Sequence, residues 1–343
     1  MGRLIEGRWC ETDDVIEDGA FVRSASPLQG AHRPNVLRAL SDCPGRFWLI
    51  ASWSCPWSHR TTIVRKLKGL ETLVPVYFGH GPRVQGYALA GGAPWAVPGT
   101  REKIQHLHEL YRIHDRTYTG RSTVPVLWDS ETQTIVSNES ADIIQALDAV
   151  ESSIALDFTL RPSALIDDID TANDWIYGAL NNAVYCAGFA QSQDAYDEAV
   201  ALVFETLDRL EARLSSLRYF FGSTLTETDV RLLPTLLRFD AIYYILFKCS
   251  RRRLVDYPNL WAYARDVYSW RGVADTVDFG LMRAASYLAD ADVAHPLIAV
   301  APDADWTADH GRAAISPACI TFRNGVRQAV DPRTLAPLVN AKP

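Results

Sequence analysis

The chain has no long apolar run, no paired cysteine spacing and no basic stripe, and each absence removes a class of function. No uninterrupted hydrophobic stretch reaches the roughly 18 to 20 residues that a membrane-spanning helix needs. The opening Met1-Gly2-Arg3-Leu4-Ile5-Glu6-Gly7-Arg8 also lacks the apolar core of a secretion signal. A cytoplasmic location with no membrane association is therefore expected. Cys10, Cys43, Cys55, Cys186, Cys249 and Cys319 stand singly. They have neither the density of a disulfide scaffold nor the spacing of a zinc site, so no metal is expected and a reducing compartment fits. Lys and Arg number 34 against 41 Asp and Glu, a net charge of -7, and Arg251-Arg252-Arg253 is one short basic run. Nucleic acid is not an expected partner.

What the chain does have is length and apolar content, 343 residues at 48% hydrophobic, enough for about two domains with cores of their own. Residues 1–45 are mixed and punctuated by Gly, Ser and Pro, which reads as an extended arm with little regular structure. From Phe47 the pattern alternates: a buried strand, a helix from about Pro56 to Lys68, and a second strand over Leu73 to Phe78. Residues 79–100 carry too many Gly and Pro for a regular element, and a helix is expected over Arg101 to Asp115. A hairpin over 124–136 and a helix from about Glu139 to Leu147 close an α/β domain spanning 46–150. Apolar residues then recur at helical spacing through Leu165–Ala190, Tyr196–Leu214, Asp229–Phe247 and Leu260–Trp270, so 163–300 reads as an all-α helical bundle. Thr226 and Asp229 look like a helix cap, a structural role. Residues 301–343 read as a tail of uncertain order.

Chemistry concentrates at Trp53-Ser54-Cys55-Pro56-Trp57-Ser58-His59-Arg60, where strand passes to helix. A helix amino terminus offers unpaired N–H groups and positive potential; cysteines so placed titrate at roughly 3.5 to 7.5 instead of about 8.5. Pro56 suits the first helical turn, which has no use for its missing N–H. Ser58 occupies the position where a dithiol motif has its second cysteine. Any disulfide of Cys55 is then a mixed one, with a small thiol or another chain, unless a distant cysteine folds back. A buried structural cysteine is the competing reading.

Five separated segments sharpen this: Cys55-Pro56-Trp57-Ser58-His59-Arg60-Thr61, Ile63 to Glu71, Thr123-Val124-Pro125-Val126-Leu127-Trp128-Asp129, Ile135-Val136-Ser137-Asn138-Glu139-Ser140, and Phe247-Lys248-Cys249 with Asp256-Tyr257-Pro258-Asn259-Leu260-Trp261. Together they resemble the glutathionyl-hydroquinone reductases, the Xi class of glutathione transferases, over roughly residues 20 to 275. The resemblance implies an N-terminal thioredoxin-like, glutathione-binding domain followed by a helical substrate domain, glutathione as cosubstrate, an aromatic or quinone-like second substrate and a homodimer. It casts Cys55 as nucleophile. Val124, ahead of a cis Pro125, would pair with the cysteinyl part of glutathione, and Glu139 and Ser140 would hold the γ-glutamyl end. Trp95 would lie near glutathione. Tyr185 becomes a phenolic donor to a quinol oxygen, with Tyr177 and Tyr287 as substrate contacts. Singly, Pro125 also reads as a strand-edge proline, Glu139 as a first-turn acid and Tyr185 as bundle packing.

The chain departs from this pattern after its last bundle helix, where the family has a His-Tyr-Tyr run and a later Asn-Pro. Here stand Ala284-Ala285-Ser286-Tyr287 and Val293-Ala294-His295-Pro296. The expected activity is reductive deglutathionylation through a Cys55–glutathione mixed disulfide. A conjugating transferase or eliminating lyase acting on a different electrophile, and a noncatalytic interaction protein of the same fold, are the alternatives that the altered segment keeps open.

Overall fold

A computed structural model describes residues 2–11, 16–91, 93–289 and 297–338. They divide into two compact units. The first takes its residues from 1–14, 24–155 and 278–298, the second from 15–23, 156–277 and 299–343.

The first unit is built on a four-stranded sheet. Helix α1 (Pro34–Asp42) leads into strand β1 (Phe47–Ser52), whose Leu49, Ile50 and Ala51 are fully buried. A strand covered on both faces needs a continuous apolar run, not an alternating one, and this explains Phe47-Trp48-Leu49-Ile50-Ala51. Helix α2 (Pro56–Leu67) crosses over to β2 (Val76–Gly79), which lies parallel to β1. After α3 (Leu107–His114), β3 (Val126–Asp129) runs antiparallel to β1, and β4 (Thr134–Ser137) antiparallel to β3. The order is β4-β3-β1-β2, and α4 (Ser140–Asp148) packs beside α2.

Strand direction decides where the loops gather. Ser52 pairs with Gly79, Ile50 with Val126 and Leu127 with Ser137. The exits of β1, β2 and β4 and the entry of β3 therefore share one edge, and Cys55, Arg83, Glu139 and Val124 all lie in the segments that meet there.

Residues 1–45 are not the extended arm the composition suggests. Arg3–Ile5 and Arg8–Cys10 form a hairpin whose Leu4 is fully buried and exchanges two backbone hydrogen bonds of 2.9 Å with Gly120. Helix α1 buries Val36, Ala39 and Leu40. Helix α3 starts at Leu107 and not near 101, because Lys103–Ile104 pairs with Trp95–Ala96 and Glu109 reaches back to cap the His106 N–H at 2.8 Å.

The second unit carries α5 (Ile166–Ile176), α6 (Ala183–Phe189), α7 (Gln193–Arg213), α8 (Glu227–Arg238) and α9 (Pro258–Tyr268). Two of the long helical runs read from the sequence are interrupted: π-helical turns at Tyr177–Asn181 and Phe239–Tyr243 end α5 and α8. The 301–343 tail is also corrected. Cys319–Phe322 pairs with Phe158–Thr159 and with Arg327–Ala329 in an antiparallel sheet. Buried Arg312 donates to the carbonyls of Leu214, Leu217, Arg218 and Asn259. The helix Phe279–Tyr287, placed by composition in the bundle, groups instead with the first unit. Among the described residues no helix is long and apolar enough to cross a membrane.

Candidate active site

Cys55 is the N-cap of α2, with Pro56 in the first turn. Its backbone is extended, at φ -90° and ψ 113°, so the side chain turns back over the first helical N–H groups. The Ser58 N–H donates to Sγ at 3.4 Å, and the thiol donates to the Val124 carbonyl at 3.4 Å. The Val124–Pro125 peptide is cis. The geometry thus joins two sequence-predicted residues that are 69 positions apart: the sulfur lies under the strand-entry turn whose main chain faces it. Cys55 keeps 4% of its surface exposed, so the sulfur is set into a wall and attack must come along a restricted direction. All six cysteines are free.

Along the same edge, Glu139 is the N-cap of α4. Its carboxylate accepts from the Ala141 N–H at 3.0 Å and the Ser140 hydroxyl at 3.3 Å. Buried Ser137 accepts the Glu139 N–H at 3.2 Å, and Asn138 and Leu28 exchange hydrogen bonds of 3.2 and 2.9 Å that hold this turn. A helix start with an acid and a hydroxyl side by side offers both an anion-binding end and an ammonium partner.

On the opposite flank, Trp95 stacks on Tyr77, with ring centroids 4.4 Å apart. Burial pushes the Tyr77 phenol up, and its hydroxyl donates to the Leu89 carbonyl at 2.5 Å. Both rings pack against the core cluster that contains Cys55, Ile50 and Leu89. Arg83, which sequence reasoning did not single out, donates from Nη2 to Ser54 Oγ at 2.9 Å, next to Cys55. The guanidinium lies over the Tyr87 ring at 4.5 Å, and the Arg83 N–H donates to the Ala289 carbonyl at 2.8 Å. The one available signal was a cation inside the Gly-rich 79–100 stretch, a length of irregular chain of the kind that carries function.

Tyr287 lies two residues before Ala289 in this same unit, so the Arg83–Ala289 bond draws its segment toward the Cys55 turn; burial raises its phenol. The neighbouring Ser286 hydroxyl donates to the Met282 carbonyl at 2.8 Å, within its own helix. Val293-Ala294-His295-Pro296 lies outside the described residues. In the second unit Tyr185 is half-buried, 3.5 Å from the Tyr243 hydroxyl and edge-on to Tyr243 and Phe247. The Arg23 guanidinium sits over its ring at 5.1 Å and donates to Asn182 Oδ1 at 2.7 Å. Tyr177 is 38% exposed at the start of a π-helical turn. Among the described residues no cluster of His, Cys, Asp or Glu is arranged to hold a metal ion.

Family models agree with this architecture. Residues 54–150 match the glutathione S-transferase N-terminal domain and residues 193–266 the glutathione S-transferase C-terminal domain, which makes the class of protein a glutathione transferase. The glutathionyl-hydroquinone reductase YqjG of Escherichia coli is 43% identical over 327 residues, covering 91% of this chain and 98% of the relative. Its glutathione-bound structure superposes with a TM-score of 0.76, covering 91% of this chain and 99% of that one. The glutathionyl-hydroquinone reductase PcpF of Sphingobium chlorophenolicum is 39% identical, covering 84% and 91%. A Xi-class transferase from Natrialba magadii is 34% identical with a TM-score of 0.79, covering 92% and 97%. The chain belongs to the glutathionyl-hydroquinone reductase family, the Xi class of glutathione transferases.

Proposed function

We propose that this protein is a glutathione-dependent thiol oxidoreductase that removes glutathione from glutathionyl-hydroquinones, with Cys55 as nucleophile. Cys55 Sγ, as thiolate, attacks the glutathionyl sulfur of a substrate whose ring has tautomerised to the ketone. An S–S bond forms and the sulfur–carbon bond breaks. The electron pair passes into the ring, which is reduced to the hydroquinone while sulfur is oxidised. A second glutathione then attacks the Cys55–glutathione disulfide, supplies the proton the ring has consumed and leaves as oxidised glutathione. In this reading the Val124 main chain pairs with the cysteinyl part of glutathione, Pro125 keeps that main chain turned toward the sulfur, and Glu139 with Ser140 takes the γ-glutamyl ammonium and carboxylate. Trp95 flanks the tripeptide. Tyr185 donates to the quinol oxygen, and Tyr177 and Tyr287 contact the ring.

The observation that carries the reading is the contact of Cys55 Sγ with both the Ser58 N–H and the Val124 carbonyl, each at 3.4 Å: a sulfur held at a helix start beside main chain preceding a cis proline. Glutathione binding is further supported by the glutathione-bound relative. Ser58 supports an intermolecular resolving step, because its position holds a hydroxyl in place of a second thiol. A cytoplasmic homodimer that uses neither nucleic acid nor membrane completes the reading, supported by the family resemblance for the dimer and by charge and unpaired cysteines for the rest. The test is steady-state turnover of a glutathionyl-hydroquinone. Wild-type protein should release hydroquinone and oxidised glutathione in equal amounts, and Cys55→Ala should lose about 10³-fold or more in rate. Glutathione consumption without oxidised glutathione would point to conjugation instead.

A further inference from the structure

Ser58 is the third residue of α2, one turn beyond the cap that Cys55 forms, and it is fully buried. Its polar groups are used unequally. The N–H donates to Cys55 Sγ at 3.4 Å and the carbonyl accepts the Thr61 hydroxyl at 2.7 Å, whereas the Ser58 hydroxyl has no hydrogen-bond partner among the described residues. The other buried hydroxyls of this helix are satisfied: Thr61 donates to the Ser58 carbonyl and Thr62 to the His59 carbonyl at 2.9 Å. A buried hydroxyl left unpaired destabilises the fold relative to alanine, so one kept beside a nucleophile points to a use outside the resting state.

The resting thiol has its hydrogen bonds already, since Sγ donates to the Val124 carbonyl and accepts the Ser58 N–H. Ionisation changes this. A thiolate has no proton to give, so the Val124 carbonyl, itself an acceptor, offers it nothing, and at 4% exposure water reaches it poorly. Protein donors must meet the charge. Side chains tilt toward the amino terminus of their own helix, and a polar side chain at the third position reaches back toward the cap residue. Ser58 therefore leans toward Cys55, and rotation about its Cα–Cβ bond brings a second donor to Sγ beside the N–H already there. We infer that Ser58 is a positioning residue whose hydroxyl, unpaired at rest, donates to the Cys55 thiolate before attack and again when the second glutathione displaces Sγ from the mixed disulfide. The inference rests on the deglutathionylation reading above for the second of these steps.

Thiolate absorbance across pH tests this in wild-type protein, Ser58→Ala and Ser58→Thr, with Cys55→Ser as the blank for the other cysteines. Loss of one hydrogen bond to a charge should raise the midpoint of thiolate formation in Ser58→Ala by about one pH unit, a 10-fold lower thiolate fraction below it. The acid limb of kcat/KM for a glutathionyl-hydroquinone should move with it. Ser58→Thr keeps a hydroxyl and should stay near wild type. The titratable and charged groups packed with this turn, His59 and Arg60 on α2, Arg83 against Ser54, and Tyr77 and Tyr111 in the same core cluster, are common to all three proteins, so a difference between them reports the hydroxyl. Because Ser58→Ala removes an unpaired group, its melting temperature should equal or exceed that of wild type. An unchanged midpoint in Ser58→Ala, an equal displacement in Ser58→Thr, or a large fall in the melting temperature of Ser58→Ala, which would show the hydroxyl paired at rest, overturns the assignment. A shifted midpoint in a protein that turns over no glutathionyl-hydroquinone upholds the thiolate contact and overturns the reading beneath it.

Discussion

At Cys55 the backbone gives the sulfur a donor from Ser58 and an acceptor at Val124. If Cys55 carries the sulfur chemistry and Tyr185 only the ring chemistry, the two separate by substrate. Tyr185→Phe should lower kcat for glutathionyl-hydroquinone about 10² -fold, the usual share of a positioned general acid, yet leave reduction of a simple glutathione mixed disulfide unchanged. Equal losses on both substrates would assign Tyr185 a packing role, in keeping with its contacts to Tyr243 and Phe247. The candidate nucleophile and tripeptide residues were legible because each leaves a local mark. Cys-Pro after an apolar strand marks a helix start, Val-Pro before another marks a strand entry, and Glu-Ser after a third marks the next helix. Arg83 left no such mark, since its partner Ser54 lies 29 residues away and only the path of an irregular loop brings them together.

At the scale of elements, the cap of α8 is the clearest case of a structural reading from sequence. Fully buried Asp229 accepts from the N–H groups of Phe220 and Thr226 at 2.9 and 2.8 Å, the Thr226 hydroxyl at 3.0 Å and the Tyr263 hydroxyl at 2.7 Å. Asp229→Ala leaves several buried donors unpaired and should cost about 3 kcal/mol or more, whereas Thr226→Ala should cost about 1 kcal/mol. Denaturant unfolding of the two variants measures the difference, and equal effects would contradict it. The ends of α5 and α8 were not legible, because a π-helical turn adds a residue without disturbing the apolar periodicity on either side. The short strand Lys103–Ile104 was likewise hidden: two residues are too few for an alternating pattern, and its partner Trp95–Ala96 lies across a turn.

For the whole molecule, residues beyond the two matched domains are tied into the second unit by buried contacts. Arg312, 2% exposed, fills the space beyond α7 with bonds to four carbonyls, and nearby Asp266 takes a bidentate Arg218 at 2.8 and 3.1 Å. Arg312→Ala should lower the melting temperature by several degrees, since it strips buried carbonyls of their donor; an unchanged value would return 301–343 to the status of a tail. Such anchoring could not be read from an irregular stretch whose partners are some 95 residues away. The buried histidines set the response to acid. Burial lowers His114 and His310, and pushes His108 down to about 4. Because the unfolded chain binds protons at about 6.5 and folded His108 only near 4, its contribution to stability is present above pH 6.5 and is lost as pH falls toward 4. Asp229 and Asp240, raised by burial, act in the opposite sense. Comparison with His108→Gln therefore isolates the effect: the variant should lose less stability than wild type between pH 6.5 and 4.5, and parallel curves would refute it.

The proposed deglutathionylation is tested most directly by the covalent state of one sulfur after a single turnover. Wild-type protein mixed with one equivalent of glutathionyl-hydroquinone, without free glutathione, should release one equivalent of hydroquinone and gain the mass of one glutathione, located by peptide mapping at Cys55 and removed by added glutathione. Hydroquinone release with no adduct at Cys55, or an undiminished burst from Cys55→Ser, would contradict it.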